Sequence, residues 1–405
     1  MEWKLKDLTV DGKGSYGIGA PAVPYQEDKL TYLRITDIND DGSLNFSDLK
    51  SVDAEDAEKY ILKENDIVFA RTGNSTGRSY FYEKQHGTFV YAGFLIKFSL
   101  DPNKVNPRIL KYYTHSKPYF DWVNSFDTGA TRGNINAKTY GDMEIELPSR
   151  KVQDKIVSIL SSLDRKIELN NKINADLEEM AQAIFKNWFV DFEPFKDGKF
   201  VDSELGMIPE GWKVGRLDEI ADVVGGSTPS KAKPEYYTQK GIAWLTPKDL
   251  SNHPAVYTSR GVIDITEEGY NSTSTKLMPK GTILFTSRAP IGYISIAQND
   301  ICTNQGFKSL VPKKAGTCFL YCFLKYVTPE IENKSTGSTF KEASGSLMKS
   351  LQVIMPEQKV FEDFETIVSP LFARIESLEK ENSRLSLLRD TLLPRLMSGE
   401  LEVPE

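Results

Sequence analysis

The sequence has few of the residues from which metal and redox sites are built. Its 405 residues include only three cysteines and three histidines, and these show no metal-ligand spacing with one another. Cysteines in such small number fit buried apolar positions better than a disulfide framework. Cys318 and Cys322 lie four residues apart in an apolar, helix-like stretch, so we expect them to pack in a core.

Long hydrophobic runs are also missing. No stretch approaches the roughly 20 uninterrupted apolar residues of a membrane span, and the opening residues lack the apolar centre of a signal peptide. We therefore expect a cytoplasmic protein. The formal net charge of −7 argues against a protein whose whole surface coats nucleic acid, because such proteins are usually basic overall. Any contact with DNA has to come from local patches.

Motifs for catalysis are scarce as well. The sequence contains no phosphate-binding loop and no Asn-Pro-Pro-aromatic motif of adenine methyltransferases. Residues 12–17 fit Gly-x-Gly-x-x-Gly, but two prolines follow where a dinucleotide site needs a helix. We therefore expect no catalytic centre in this chain. The alternative is a fused nuclease or methyltransferase, which would show activity with S-adenosylmethionine or Mg²⁺ when isolated.

An internal duplication is the most informative feature that is present. The matched segments, in chain order, are 2–5 with 211–214, Tyr32-Leu33 and Asp37 with Trp244-Leu245 and Asp249, 63–69 with 279–285, 128–131 with 336–339, and Pro148 with Pro356. An ordered series of this kind is the mark of a repeat, so the chain has two equivalent halves.

Each half begins with strands and turns and continues into helix. Residues 66–72 and 88–98 are rich in β-branched and aromatic residues, which favour strands, whereas 106–123 has the length and Leu/Tyr spacing of a helix. The predicted fold class is therefore α+β, with two mixed-sheet domains. Domains of this class present their function on loops.

Apolar residues recur every three or four positions after Pro148 and again after Pro356, which predicts two long amphipathic helices with a coiled-coil seam. The periodic residues are Val152, Ile156, Ile159, Leu163, Ile167, Asn170, Ile173, Leu177, Met180, Ile184 and Trp188, then Val360, Phe364, Ile367, Leu371, Ile375, Leu378, Asn382, Leu385, Leu388 and Leu392. Equivalent surfaces of a duplicated chain meet isologously, so we expect antiparallel packing with Asn174 beside Asn382. The alternative is that each helix only caps its own domain.

Polar and basic loops lie at corresponding places in the two halves. Such loops supply bidentate arginine and amide groups for base edges. The candidate DNA-binding residues are Arg71, Thr72, Asn74, Ser75, Thr76, Arg78, Arg132, Asn134, Asn136, Lys138, Lys248, Ser287, Arg288, Gln305, Lys308 and Lys341. We expect Arg71, next to a strand end, to read bases and Arg78 to hold phosphate. Plain solvated loops are the alternative for each of these residues.

Four segments resemble parts of type I restriction-modification specificity subunits. Residues 181–194, Ala-Gln-Ala-Ile-Phe-Lys-Asn-Trp-Phe-Val-Asp-Phe-Glu-Pro, with 203–212, resemble their central conserved region; 392–401 resemble their C-terminal conserved region, and 304–308 a piece of their recognition domains. The resemblance covers essentially the whole chain. It implies target recognition domains at 1–150 and 211–356, a central conserved helix at 151–192, a linker at 193–210 and a C-terminal conserved helix at 357–400.

The resemblance also implies a function carried out with partners. Each recognition domain would read one half of a split site in double-stranded DNA. Two modification subunits, which use S-adenosylmethionine to methylate adenine, would dock on the helices, and restriction subunits that use ATP and Mg²⁺ would complete the nuclease. The chain itself would bind neither cofactor nor metal. Two alternatives are a coiled-coil scaffold without DNA affinity and the specificity subunit of a related system with fused nuclease and methylase partners.

Overall fold

The computed structural model describes residues 2–46, 48–126, 133–335 and 341–403. It divides into two compact units, one formed by Met1–Lys166 with Arg384–Glu405 and the other by Ile167–Ser383. Each unit contains strands, short helices and part of each of two long helices. The predicted α+β class with two repeated domains is confirmed.

The first unit is built on two four-stranded sheets. Its elements are β1 (Glu2–Lys4), β2 (Ser15–Tyr16), β3 (Ala22–Pro24), β4 (Thr31–Leu33), β5 (Lys50–Val52), β6 (Asp66–Ala70), β7 (Ser79–Phe81), β8 (Phe89–Tyr91), β9 (Leu95–Ser99), α1 (Pro107–Tyr113), α2 (Lys117–Asn124), α3 (Ala137–Gly141) and β10 (Glu144–Glu146). One sheet has the order β2-β9-β6-β7 and the other β3-β5-β4-β8, while β1 pairs with β10. The long helix α4 (Arg150–Phe189) follows.

The second unit repeats this plan with a five-stranded sheet. Its elements are β11 (Phe200–Ser203), β12 (Gly206–Pro209), β13 (Lys213–Arg216), β14 (Ala221–Gly225), β15 (Tyr237–Thr238), β16 (Trp244–Leu245), α5 (Pro247–Asn252), β17 (Tyr257–Thr258), β18 (Asp264–Ile265), α6 (Glu267–Asn271), β19 (Ile283–Ser287), β20 (Ile291–Ala297), β21 (Cys302–Thr303), β22 (Lys308–Pro312), α7 (Thr317–Lys334), α8 (Gly345–Ser350), β23 (Gln352–Met355) and α9 (Gln358–Met397). The sheet has the order β14-β22-β19-β20-β17, and β11 with β12 forms a hairpin inside the predicted linker.

Three predicted elements differ from the observed ones in their bounds. The helix expected over 106–123 is divided into α1 and α2, because Pro118 has no N–H to continue the helix and Ser116 begins a new one. The strand expected over 88–98 is divided into β8 and β9 by a turn. The predicted strand over 66–72 ends at Ala70, which leaves Arg71 in the loop that follows.

Hydrogen bonds at corresponding positions show that the two halves repeat the same backbone. The N–H of Arg34 donates to Asp37 Oδ2, and the N–H of Thr246 donates to Asp249 Oδ2, each at 2.7 Å. Both carboxylates close a turn directly after a strand. The match of Asp37 with Asp249 is therefore confirmed by structure.

One sequence match at the entry of each half is wrong by three residues. The N–H of Leu5 donates to Met143 O at 3.0 Å, and the N–H of Leu217 donates to Leu351 O at 2.9 Å. Leu5 therefore corresponds to Leu217, and the Trp-Lys pairs aligned in the two halves are not equivalent. The two halves share the same backbone hydrogen bonds at this point, but the similar Trp-Lys sequences do not occupy equivalent positions in them.

Residue pairs within each unit show that α4 and α9 run in opposite directions. In the first unit Asp164 of α4 contacts Arg389 of α9, and in the second unit Phe189 of α4 contacts Phe361 of α9. The partner's number falls as the number along α4 rises. The antiparallel packing expected from the duplication is therefore confirmed.

Asn382 lies in the seam between the helices, but its partner is not its repeat equivalent. Asn170 Nδ2 donates to Asn382 Oδ1 at 2.8 Å, and Asn382 Nδ2 donates to Asn171 Oδ1 at 2.7 Å. The predicted pairing of Asn174 with Asn382 is wrong by about one helical turn, because equivalent residues of an antiparallel pair meet only at the two-fold axis. Among the described residues, no hydrogen-bond partner contacts the buried Oδ1 of Asn174.

The core of the second unit is an aromatic cluster at the helix seam. Phe189 of α4 lies 4.9 Å from Phe319 of α7 and 5.1 Å from Phe364 of α9, measured between ring centres. Cys318 and Cys322, also on α7, are buried beside them as free thiols. Burial raises the pKa of both thiols. These cysteines therefore act as core residues, as the sequence predicts.

The core of the first unit includes residues from both ends of the chain. Leu5 and Phe69 are fully buried there with Ile156 of α4, and Leu393 and Leu396 of α9 are buried in the same cluster. Burial of side chains of this size contributes about 1.5–3 kcal/mol each. The last turns of α9 are therefore part of the first domain's core.

A buried charge cluster joins α1 to the long helices in this unit. Asp164 accepts hydrogen bonds from the Tyr112 hydroxyl at 2.9 Å and from Arg389 at 3.1 Å, and Lys111 Nζ lies 3.3 Å from it. Burial acts to raise the pKa of Asp164, but the charges of Lys111 and Arg389 and the two hydrogen bonds hold that pKa below its usual value. One ionised carboxylate therefore neutralises cations from two different elements.

Replacement of Asp164 with asparagine should destabilise the first unit by on the order of 2 kcal/mol, because it removes the buried carboxylate that Lys111 and Arg389 share and leaves them only Glu83 and Asp390 as counter-ions. Because the folded-state pKa is lowered, this stabilisation is present above the usual carboxyl pKa and is lost as the pH falls through the folded-state value. Hydrogen exchange of the α1 amides measures the loss. The matched control is Asp121→Asn in an exposed pair with Lys117; equal protection in both variants would contradict the role of the cluster.

Candidate nucleic-acid interface

Arg71 follows β6 directly and is held by its backbone on both sides. Its N–H donates to Phe94 O at 3.1 Å, and its carbonyl accepts from the N–H of Ile135 at 3.0 Å. The guanidinium carbon lies 5.1 Å from the centre of the Tyr16 ring. Within the part of the chain that the structure describes, no acceptor contacts the guanidinium, and its Nε is buried without a partner. The backbone of Arg71 is fixed while its side chain is available to a ligand.

The loop from Thr72 to Thr76 is partly structural. Asn74 is exposed and Thr72 is half-buried, but Ser75 is buried. The Thr76 hydroxyl donates to the carbonyl of Gly133 at 3.1 Å, which joins this loop to the second predicted loop of the same domain. Of this group, the structure places Asn74 and Thr72 at the surface and Ser75 inside the domain.

Arg78 differs from Arg71 because its charge is already paired. Its Nε donates to Asp40 Oδ1 at 2.6 Å, and a terminal nitrogen donates to Ile38 O at 2.9 Å. Asp40 is itself largely exposed, so the pair stands at the surface. The phosphate contact predicted for Arg78 would have to compete with this carboxylate.

The second predicted loop meets the first one at Ile135. Asn134 and Lys138 are exposed on either side, whereas Asn136 begins α3 and its Oδ1 accepts from the N–H of Thr139 at 2.9 Å. Asn136 is therefore a helix cap that uses its Oδ1. Its amide nitrogen can still donate to a ligand. Arg132 lies outside the described residues. The structure brings Arg71, Asn134 and Lys138 into one surface region of the first domain.

The same backbone frame recurs in the second domain with a different residue at its centre. The N–H of Ser287 donates to Gly306 O at 2.7 Å, and its carbonyl accepts from the N–H of Ala343 at 2.9 Å, as Arg71 does in the first domain. Ser287 is fully buried and its hydroxyl also donates to Gly306 O. The structure therefore places Ser287 inside the domain rather than at the surface where the sequence suggested it.

The cations of the second domain converge on one carboxylate. Arg288 and Lys308 each lie 3.5 Å from an oxygen of Glu342. Glu342 stands one residue before Ala343, where the first domain has Asn134 before Ile135. The cations of the second surface are therefore partly neutralised, whereas Arg71 of the first surface has no carboxylate partner among the described residues.

The remaining candidates of the second domain lie at its surface. Lys248, Gln305 and Lys341 are exposed. The Oε1 of Gln305 accepts from the Thr228 hydroxyl, and Lys341 Nζ donates to Glu332 O at 3.2 Å. All three candidates are therefore accessible from solvent.

Sequence reasoning missed two residues of these surfaces. Tyr16 is 42% exposed and lies under Arg71, but a single aromatic residue in a glycine-rich segment gave no signal. Glu342 was missed because the search was for basic and amide residues. Glu342 corresponds to Asn134 in the repeat, and this correspondence could have pointed to it.

The described residues show neither a group of three or more potential metal ligands nor a helix long and apolar enough to cross a membrane.

Comparison with known proteins gives a family for both halves. A model described as the type I restriction modification DNA specificity domain matches residues 16–179 and 209–386. The chain belongs to this family. The family description names DNA specificity and no catalytic activity, and its two matches fall on the two repeated halves.

Relatives of this specificity family match part or most of the chain. The type I restriction enzyme MjaIX specificity subunit of Methanocaldococcus jannaschii is 40% identical over 190 residues, which cover 46% of this chain and 44% of that protein. The HindI specificity subunit of Haemophilus influenzae is 26% identical over 407 residues, covering 85% of this chain and 88% of that protein. The crystal structure of the type I system S subunit from M. genitalium has a TM-score of 0.55 at 19% identity, covering 100% and 96%. This last likeness shows the fold alone.

For a member of the specificity family, Glu342→Gln should raise non-specific DNA affinity because it frees Arg288 and Lys308 to contact phosphate. Each new phosphate contact steepens the dependence of log affinity on log salt by about 0.9, so we expect an increase of roughly one to two in slope. Binding of random-sequence duplex across a salt series measures it. Glu362→Gln, the same charge change at an exposed site on α9, is the control; an equal effect of both variants would show that only net charge matters.

Proposed function

We propose that this chain is the DNA-recognition subunit of a type I restriction-modification complex, and that each domain reads one half of a bipartite target. The supporting observation is the shared frame in which Ile135 binds the carbonyl of Arg71 and Ala343 binds that of Ser287. The same frame presents polar side chains in both domains. The side chains differ, however, so the two half-sites are expected to differ in sequence.

The decisive experiment is to express the chain with its modification subunits and sequence the methylated adenines. A split motif whose two halves are separated by unspecified bases is the expected result. A continuous motif, or methylation without any motif, would overturn the proposal. Activity of the isolated chain with S-adenosylmethionine or Mg²⁺ would instead support the fused-enzyme alternative.

The exposed faces of the long helices support docking of partner subunits. Four residues predicted for the seam are instead exposed, namely Ile159, Met180, Ile367 and Leu388, at 37%, 51%, 48% and 46%. Ile159 and Ile367 are repeat equivalents, as are Met180 and Leu388, with the same spacing that relates Pro148 to Pro356. Exposed apolar side chains on a helix face indicate an interaction surface. Ile159 and Leu388 lie in the first unit, and their repeat equivalents Ile367 and Met180 lie in the second. We therefore propose that two modification subunits dock, one on each of these two pairs.

In this assembly the catalysis belongs to the partners. The modification subunits would bind S-adenosylmethionine, and restriction subunits would use ATP and Mg²⁺, while this chain contributes DNA contacts and docking surfaces. The complex would act in the cytoplasm on DNA that lacks the methylated motif.

The docking proposal predicts that the double variant Ile159→Glu, Leu388→Glu loses one of two modification subunits, because both residues belong to the first unit and a charge cannot be buried there without cost. Native mass spectrometry of the assembled complex counts the subunits. Val262→Glu, at an exposed apolar residue of the second domain, should leave two. Retention of both subunits by the double variant would exclude this face.

The length of the helices is expected to set the spacer between half-sites. Insertion of four residues into α4 between Asp164 and Asn170, and into α9 between Asn382 and Arg389, adds about 6 Å of helix. This corresponds to one or two base-pair steps of roughly 3.4 Å. The methylated motif of the insertion variant should have a longer spacer with unchanged half-sites. An active variant with an unchanged spacer would contradict the proposal.

A further inference from the structure

The segment 12–17 packs closely against its neighbours in the sheet and holds Tyr16 beside β9. A Cβ on Gly17 would lie 2.2 Å from the carbonyl oxygens of Tyr91 and Ala92, and a Cβ on Gly14 would lie 2.6 Å from the ring of Phe98. Only glycine permits such close approach at these two positions. Gly14 therefore lets the chain before β2 approach β9, and Gly17 lets the chain after β2 approach the end of β8.

Between these glycines, Tyr16 is fixed at its backbone and at its hydroxyl. Its backbone pairs with Ile96 of β9, and its hydroxyl accepts from the N–H of Ala137 at 3.1 Å. The ring is 42% exposed and carries the guanidinium of Arg71 on its face at 5.1 Å. Tyr16 therefore links β2, the loop after β6 and the start of α3 at one surface point.

This arrangement limits the positions open to the Arg71 side chain. Arginine loses considerable rotamer freedom when it binds a ligand, and stacking on a fixed ring removes part of that loss in advance. No carboxylate of the described residues competes for the guanidinium. The planar fork of an arginine matches the O6 and N7 acceptors of guanine in the major groove.

We propose that Tyr16 is a positioning residue for Arg71, and that the pair reads a guanine in the half-site of the first domain. This deepens the proposed function and rests on it. Arg71 makes the contact, and Tyr16 holds its guanidinium plane in the orientation that fits the base edge. Tyr16 thus contributes to sequence preference although it need not touch DNA itself.

The test uses the chain assembled with its modification subunits and duplexes that contain its methylated motif. Each guanine of the motif is replaced in turn by 7-deazaguanine, which lacks the N7 acceptor. The wild-type complex should lose roughly tenfold in affinity at one guanine of one half-site. In Arg71→Ala that sensitivity should vanish, whereas Arg71→Lys should keep non-specific affinity and only part of the sensitivity, because the ammonium can still donate to N7 but has no planar fork to stack on Tyr16.

Variants at position 16 separate positioning from a general structural role. Tyr16→Leu keeps apolar bulk but removes the π face, and should lose most of the 7-deazaguanine sensitivity at the same guanine. Tyr16→Phe keeps the ring and should restore it to within about threefold. Tyr25→Leu, at an exposed tyrosine of the same domain, is the matched control and should behave as wild type.

Two results would overturn the inference. One is a Tyr16→Leu complex that binds all duplexes more weakly by the same factor, since this is what a purely structural residue does. The other is the absence of any guanine whose sensitivity depends on Arg71. If instead the proposed function is wrong, the wild-type complex and the Tyr25→Leu control would show no bipartite motif at all, which distinguishes that failure from a failure of this inference.

Discussion

The packing of two helices that run in opposite directions is the constraint on which the rest of the molecule depends. Because α4 and α9 are antiparallel, each unit receives the beginning of one helix and the end of the other. Phe189 and Phe361 meet in the core of the second unit, while Ile156 and Leu396 are buried in the core of the first. Neither core can be formed from a single half of the chain. Each core therefore draws on both halves of the duplicated sequence, and the repeat-related exposed faces of the helices follow from the same arrangement.

The two candidate surfaces show how one backbone frame can carry side chains of different chemistry. Main-chain hydrogen bonds fix the carbonyls of Arg71 and Ser287 in the same way, so the position of the surface does not depend on the side chains that it presents. Among the described residues the first surface keeps a cation on an aromatic ring without a counter-ion, whereas Glu342 of the second partly neutralises Arg288 and Lys308. At a DNA-binding surface such a carboxylate would lower non-specific attraction and could accept from the exocyclic amine of cytosine. The two domains therefore differ in charge although they share a backbone.

Periodicity and duplication made much of the fold predictable from sequence. They are properties of the chain itself, so the α+β class, the two halves and the antiparallel helices could be predicted. The partner of Asn382 could not, because the helix register depends on where the large side chains pack, and this moved the partner from Asn174 to Asn170. Ser287 was misplaced because it was assigned to a loop, whereas the fully buried strand β19 extends to it. Tyr16 became apparent only when the sheet brought residues distant in sequence to one point.

The first unit is completed by residues that are synthesised after the whole of the second unit. The second unit is a continuous segment, Ile167–Ser383, whereas the first is closed by Arg384–Glu405. Asp164 receives Arg389, and the first core receives Leu393 and Leu396, only after the whole of the second unit has been made. Domains generally fold as units during synthesis, starting from the N-terminus. Here the domain that emerges first from the ribosome is the last to complete its core, and a chain that stops at Ser383 retains every residue of the second unit while the first core stays open.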